Sequence, residues 1–127
     1  MFEKLDLTRM AQALAAHSGA RMGVIAQNVA HADTPGYKAQ DLPPFDKVFA
    51  EGGEGMRSTR PGHIAGPGGE APMQPQRAPG REAPNGNTVS LEGEMVKSVE
   101  VRQSHEMALA VYRATSDVIR ASLGRSR

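Results

Sequence analysis

The glycines and prolines of this chain are concentrated rather than spread: nine of the 14 glycines and six of the 9 prolines fall between Gly52 and Gly86. Proline removes a backbone donor and fixes φ, glycine adds chain entropy, and at this density no regular element is expected to persist. The stretch also has few large apolar side chains, chiefly Met56, Ile64 and Met73, to offset an ordering cost of about 1–2 kcal/mol per residue. It is expected to be mobile in the isolated protein. The fold must then come from the two ends, which contain few breakers and many helix formers.

Those ends hold little conventional core. Of the 127 residues 39% are hydrophobic but only 4% aromatic, so Ala, Val and Met supply most of the apolar surface. The absence of cysteine excludes disulfides, thiolate nucleophiles and Cys-ligated metals. A net charge of +1, from 15 basic and 14 acidic residues, argues against nucleic-acid binding through a basic stripe. No run approaches the roughly 20 apolar residues of a membrane span. The opening Met1-Phe2-Glu3-Lys4-Leu5-Asp6 lacks the pattern of a cleaved signal peptide, so composition alone reads as cytosolic.

Capping chemistry places the first helix. Asp6 as N-cap, with Leu5 packing on Met10, sets a start near Leu7. Leu7, Ala11, Leu14, Ser18, Met22, Ile25 and Val29 then follow steps of four and three along one stripe, and Ser18 to Val29 completes an eleven-residue repeat, closer to a straight helix than to a left-handed supercoil. Thr34-Pro35-Gly36-Tyr37 ends the helix near Ala32, with Pro35-Gly36 suited to the centre of a type II turn. Tyr37 to Pro44 reads as extended, and Phe45 to Phe49 as a short apolar-faced segment suited to docking on a neighbour.

The last helix has Ser90 as its N-cap, Glu92 and Glu94 against the positive end of its dipole, and an expected end near Leu123. Val101, His105, Ala108, Tyr112, Thr115 and Ile119 form one seam; Met107, Val111, Ala114, Val118 and Ala121 form a second on another face. The expected fold is mainly α: long N- and C-terminal helices pair as a coiled-coil-like hairpin, with an irregular Gly/Pro-rich middle. Residues 1–34 and 90–127 make one composite domain and residues 35–89 a largely irregular linker. The helix-pair seam is assigned to Leu14, Met22, Ile25, Val29, Val101, Ala108, Tyr112 and Ile119. A two-helix monomer covers only one face of its last helix, and the surplus apolar surface calls for other subunits.

Catalytic and metal chemistry find little footing. His17 and His31 are fourteen residues apart on one helix, His63 lies in the breaker-rich middle and His105 on the last helix, so no pair has ligand spacing. The sequence contains no G-x-S-x-G elbow, and its Gly-rich stretch lacks the Lys-Ser/Thr of a phosphate loop. No catalytic, cofactor or metal residue is assigned.

The segment Asn28-Val29-Ala30-His31-Ala32-Asp33-Thr34-Pro35-Gly36-Tyr37 resembles the Asn-x-Ala-Asn-x-x-Thr-Pro-Gly-Tyr signature of the flagellar rod and hook family, with His31 standing where the pattern has Asn. Ala39-Gln40-Asp41-Leu42, Thr59-Arg60-Pro61-Gly62-His63-Ile64 and Asn85 to Met95 narrow the likeness to proximal rod members. The resemblance implies paired terminal helices, stacked in many copies into a tube that transmits torque. It also implies export by the flagellar type III apparatus without a cleaved signal, a periplasmic place in the basal body, and contact with the membrane ring, its adaptor protein and other rod proteins. Interface roles fall by this resemblance on Asn28, Ala30, Thr34, Pro35, Gly36 and Tyr37. The competing expectation is a helical adaptor that binds one partner helix through its apolar seam.

Overall fold

In the computed structural model, which describes residues 2–52 and 73–124, two long helices lie antiparallel and a small irregular layer packs mainly on the first of them. The elements in chain order are α1 (Phe2–Ala30), β1 (Gln40–Asp41), α2 (Phe45–Gly52), β2 (Gln76–Arg77) and α3 (Leu91–Ser122). With 29 and 32 residues, α1 and α3 are about 43 and 48 Å long at 1.5 Å per residue. Their antiparallel register follows from contacts that run in opposite senses: Asn28 meets Glu94, whereas Ala15 meets His105. The mainly α class with paired terminal helices, read from the sequence, is the observed one.

Ser90 caps α3 as its residue type demands: its backbone is extended and its hydroxyl accepts from the Gly93 N–H at 3.3 Å. At the other terminus the expected start of α1 is displaced. The helix begins at Phe2, upstream of the expected cap, because residues 2–6 contain no Gly or Pro to stop it. Asp6 instead sits inside the helix and pairs with Arg9 at 3.7 Å.

Buried positions on α3 recur every seventh residue, at Glu94, Val101, Ala108 and Thr115. On α1, Ala11, Ser18 and Ile25 keep the same interval. The buried positions thus follow a heptad spacing in place of the eleven-residue repeat expected from Ser18 to Val29. Val29 is 44% exposed, and the step of three from Ile25 puts Asn28 in its place, fully buried. Tyr112, assigned to the seam, is 37% exposed on its flank. Leu14, Met22 and Ile119 are half-buried beside the seam. Ala11, Ser18, Ala108 and Thr115 are small, so the helix backbones approach closely and enclose a narrow core.

The described parts of the middle are more ordered in outline than their Gly and Pro content led us to expect. Pro44 starts α2 by accepting from both Lys47 and Val48 N–H groups, and α2 packs back on α1 of the same chain, with the His17 and Phe45 rings edge to face at 5.7 Å. Pro43 accepts from His17 Nε2 at 2.8 Å. Beyond α2, β2 pairs antiparallel with β1, Gln40 opposite Arg77 and Asp41 opposite Gln76. A strand survives between Pro75 and Pro79 because two residues suffice to pair with β1 and neither is a proline. The expectations for Met56, Ile64 and the Thr59–Ile64 motif lie outside the described residues.

The narrow seam gives the first prediction. Val101→Phe, at a seam position 3% exposed and away from any cleft that could take the larger ring, should force the helices apart and lower stability by about 1–3 kcal/mol in urea unfolding, whereas Val99→Leu on the outer face should change it by less than about 0.5 kcal/mol.

Candidate functional site

The residues of the signature converge where α1 ends, and two asparagine side chains organise that junction. Asn28 is fully buried, so its amide must find every partner within the protein. Its Nδ2 donates to the Gln40 carbonyl at 2.7 Å and to Glu94 Oε2 at 3.1 Å. Its Oδ1 accepts from the Gln40 N–H at 3.0 Å and from the Tyr37 hydroxyl at 3.4 Å. Gln40 faces Arg77 in β2, and the neighbouring Ala39 carbonyl accepts from the Ala78 N–H at 2.9 Å. In an antiparallel ladder this directs both backbone groups of Gln40 away from β2. They point at Asn28, whose amide serves β1 as a third strand would.

Asn87 does the same for the end of α1. In the turn just past the helix Asn87 Nδ2 lies 2.9, 2.8 and 2.9 Å from the carbonyls of His31, Ala32 and Thr34; those of His31 and Thr34 also accept from the Thr34 and Tyr37 N–H groups, so it is Ala32 that depends on Asn87. Two N–H groups serve three acceptors, so at least one is shared. Asn87 is itself fixed: its Oδ1 accepts from the Val89 N–H at 2.7 Å, and its own N–H donates to Asn85 Oδ1 at 3.1 Å. The Thr34–Tyr37 turn closes with the Tyr37 N–H on the Thr34 carbonyl at 3.3 Å and Gly36 at φ +73°, as a type II turn requires. Gly36 and Gly86 lie back to back, and a Cβ on Gly86 would stand 3.4 Å from the Gly36 Cα. His31 stacks on Tyr37 with ring centroids 4.7 Å apart, so an aromatic contact occupies the position where the family pattern has Asn.

Charges complete the junction. Arg21 grips Asp41 through two bonds of 2.7 and 2.8 Å. Lys97 bonds Glu94 at 2.8 Å and approaches Asp41 at 3.8 Å. Two cations and two carboxylates from α1, β1 and α3 thus balance around Asn28. Burial alone would raise the Asp41 carboxyl, but the bonds and charge of Arg21, the Leu42 N–H and the charge of Lys97 outweigh it and hold Asp41 below its ordinary range. The Asp41 bond in turn raises Arg21 against the opposing effect of burial. Among the described residues no buried polar side-chain atom lacks a partner.

Of the six residues assigned to a subunit interface, Asn28 and Tyr37 are engaged within the chain. Thr34 contributes its carbonyl, Gly36 shapes the turn, and Ala30, Thr34, Pro35 and Gly36 remain exposed. The sequence reading gave Asn87 no role and Glu94 only a dipole role. The Asn-Gly-Asn run before the Ser90 cap carried the signal for the first; Glu94 faces the pair at a heptad position, which residue type alone conceals.

Away from the junction, α3 leaves apolar side chains uncovered: Met95, Val96, Val99, Met107 and Val118 are each at least 47% exposed. At the far end of the pair an apolar cleft of about 210 Å³ is lined by Leu7, Met10, Ala11, Leu14, Phe45, Met107, Ala108 and Val111. No described helix is long and apolar enough to cross a membrane.

An antiparallel pair with a polar clasp at one end and apolar side chains exposed along its outside defines a small helical protein with unpartnered apolar surface. The flagellar basal body rod protein FlgB of Salmonella typhimurium is 30% identical over 122 residues, 87% of this chain and 88% of its own. The FlgB protein of Agrobacterium fabrum is 29% identical over 116 residues, 83% of each chain. No protein-family model matches. The chain belongs to the FlgB family of flagellar basal body rod proteins.

Two predictions come from the junction. Asn87→Ala should leave the Ala32 carbonyl without its donor, loosen the turn that follows α1 and cost about 1–3 kcal/mol, with faster amide exchange across residues 31–37. Because Asp41 is lowered in the folded protein, its contribution is fully present above the ordinary carboxylate value of about 3.9 and is lost as pH falls through the lower folded value. Asp41→Asn should therefore weaken the protein at neutral pH and flatten the acid limb of stability against pH.

Proposed function

We propose that the chain is a non-enzymatic structural subunit of the proximal rod, assembling by helix packing into the tubular shaft that carries torque through the periplasm. The observation that carries this reading is the second stripe of α3, where Met107 is 57% and Val118 47% exposed and Ala114 and Ala121 are also uncovered. A stripe of this length on a helix already paired on its other side is suited to neighbours. On this reading residues 1–34 and 90–127 form the axial domain and residues 35–89 the connection between its helices. The partners are further copies, other rod proteins, the membrane ring with its adaptor at the base, and the type III export apparatus that delivers the chain.

The exposed signature residues fit the same reading. Pro35 and Ala30 lie uncovered at a junction whose shape is fixed by Asn87 and Asn28, so a neighbour meets a preformed surface.

Val118→Asp tests the reading. The purified variant should keep wild-type helix content by circular dichroism, since Val118 is on the outside, yet cells carrying it should assemble few basal bodies and lose motility. Normal motility would remove the stripe from the assembly surface, and recovery of the protein in a complex of fixed stoichiometry outside the basal body would favour an adaptor.

A further inference from the structure

Two features of α3 are complementary but cannot meet within one chain. Met95, Val96 and Val99 form a knob near its N-terminal end, exposed by 66%, 60% and 67%. The cleft of about 210 Å³ between Met10, Phe45 and Val111 lies further along the same helix. Val99 and Val111 are 12 residues apart, about 18 Å on a rigid helix. The cleft exceeds the ~150 Å³ apolar cavity that admits a benzene ring, so it has room for a large aliphatic side chain.

We infer that the knob of one copy seats in the cleft of the next, a head-to-tail contact between copies that specifies how the rod reading above would be realised. Charge favours this pairing over knob on knob. Glu92 and Glu100 flank the knob and Arg113 and Arg120 lie beyond the cleft; all four are exposed, and among the described residues none makes an ion pair. Counting exposed charges not in ion pairs, residues 91–106 carry Glu92, Glu100 and Glu106 against Arg102, whereas residues 107–124 carry Arg113 and Arg120 against Asp117. Along α3 the unlike ends attract and the like ends repel. Because the two surfaces differ, each contact leaves a free knob and a free cleft, so copies add in series unless the rotation between them closes a ring. One knob covers far less than the roughly 1,000 Å² of a self-sufficient interface, so the contact holds only among the many contacts of an assembly.

The chain has no cysteine, which makes crosslinking clean. Val99→Cys with Met10→Cys in one chain places a thiol on each surface at exposed sites, and mild oxidation of purified basal bodies should give a ladder of dimers, trimers and higher multimers. Each single variant should stay monomeric. Adding Val96→Asp to the double variant, also at an exposed site, should reduce the ladder by more than about tenfold by placing a charge in the cleft. Dimers from Val99→Cys alone, or basal bodies that contain the double variant without a ladder, would overturn this contact and leave the rod assignment standing. Absence of the protein from basal bodies would overturn both.

Discussion

The buried amide of Asn28 is the interaction on which the other parts of the structure depend. An amide at zero exposure is tolerated only when both its hydrogens and its oxygen are engaged. Its partners come from β1, from the turn that follows α1 and from α3, so meeting its needs fixes three separate stretches of chain at once. An apolar side chain of similar size would fill the space without specifying which segments surround it. Register in the helix pair is set here, and the heptad spacing carries it outward.

That division explains why a core of small residues is enough. Ala11, Ser18, Ala108 and Thr115 bury modest area each, and in a free-standing bundle they would leave a weak seam. In this chain they need only keep two helices close along a path already set by the clasp at one end. Close approach also keeps the pair thin, leaving much of each helix perimeter outward. The apolar side chains on that perimeter are the material of assembly in the reading proposed for a member of this family.

Helix pairing, the Ser90 cap and the Pro35-Gly36 turn were legible in the sequence because each is a local preference: periodicity, an oxygen before a free N–H, a ring that fixes φ. The second stripe of α3 was legible for the same reason. The start of α1 was not, since Asp6 satisfies the capping rule as well as it satisfies a bond to Arg9, and the choice depends on how far the residues before it sustain the helix. Val29 was given the place of Asn28 because apolar stripes are traced through apolar residues; a polar residue in the seam is visible only once its partners are known. Asn87 acts on carbonyls more than fifty residues earlier, and no periodicity reports that kind of contact. The family signature marked the junction without revealing which interactions hold it.

The separation of those partners sets an order of events. Asn28 and Glu94 are 66 residues apart, and His105 reaches back 90 residues to Ala15. A chain synthesised from its N-terminus therefore presents α1 first, with the turn after it unclasped and its seam empty, and nothing already made can complete either. Closure waits until about three-quarters of the polypeptide is available, and contacts of such range make for slow folding. Lateness of this kind leaves α1 without its seam or its clasp until α3 is present, so the rigidity of the pair belongs to the finished chain.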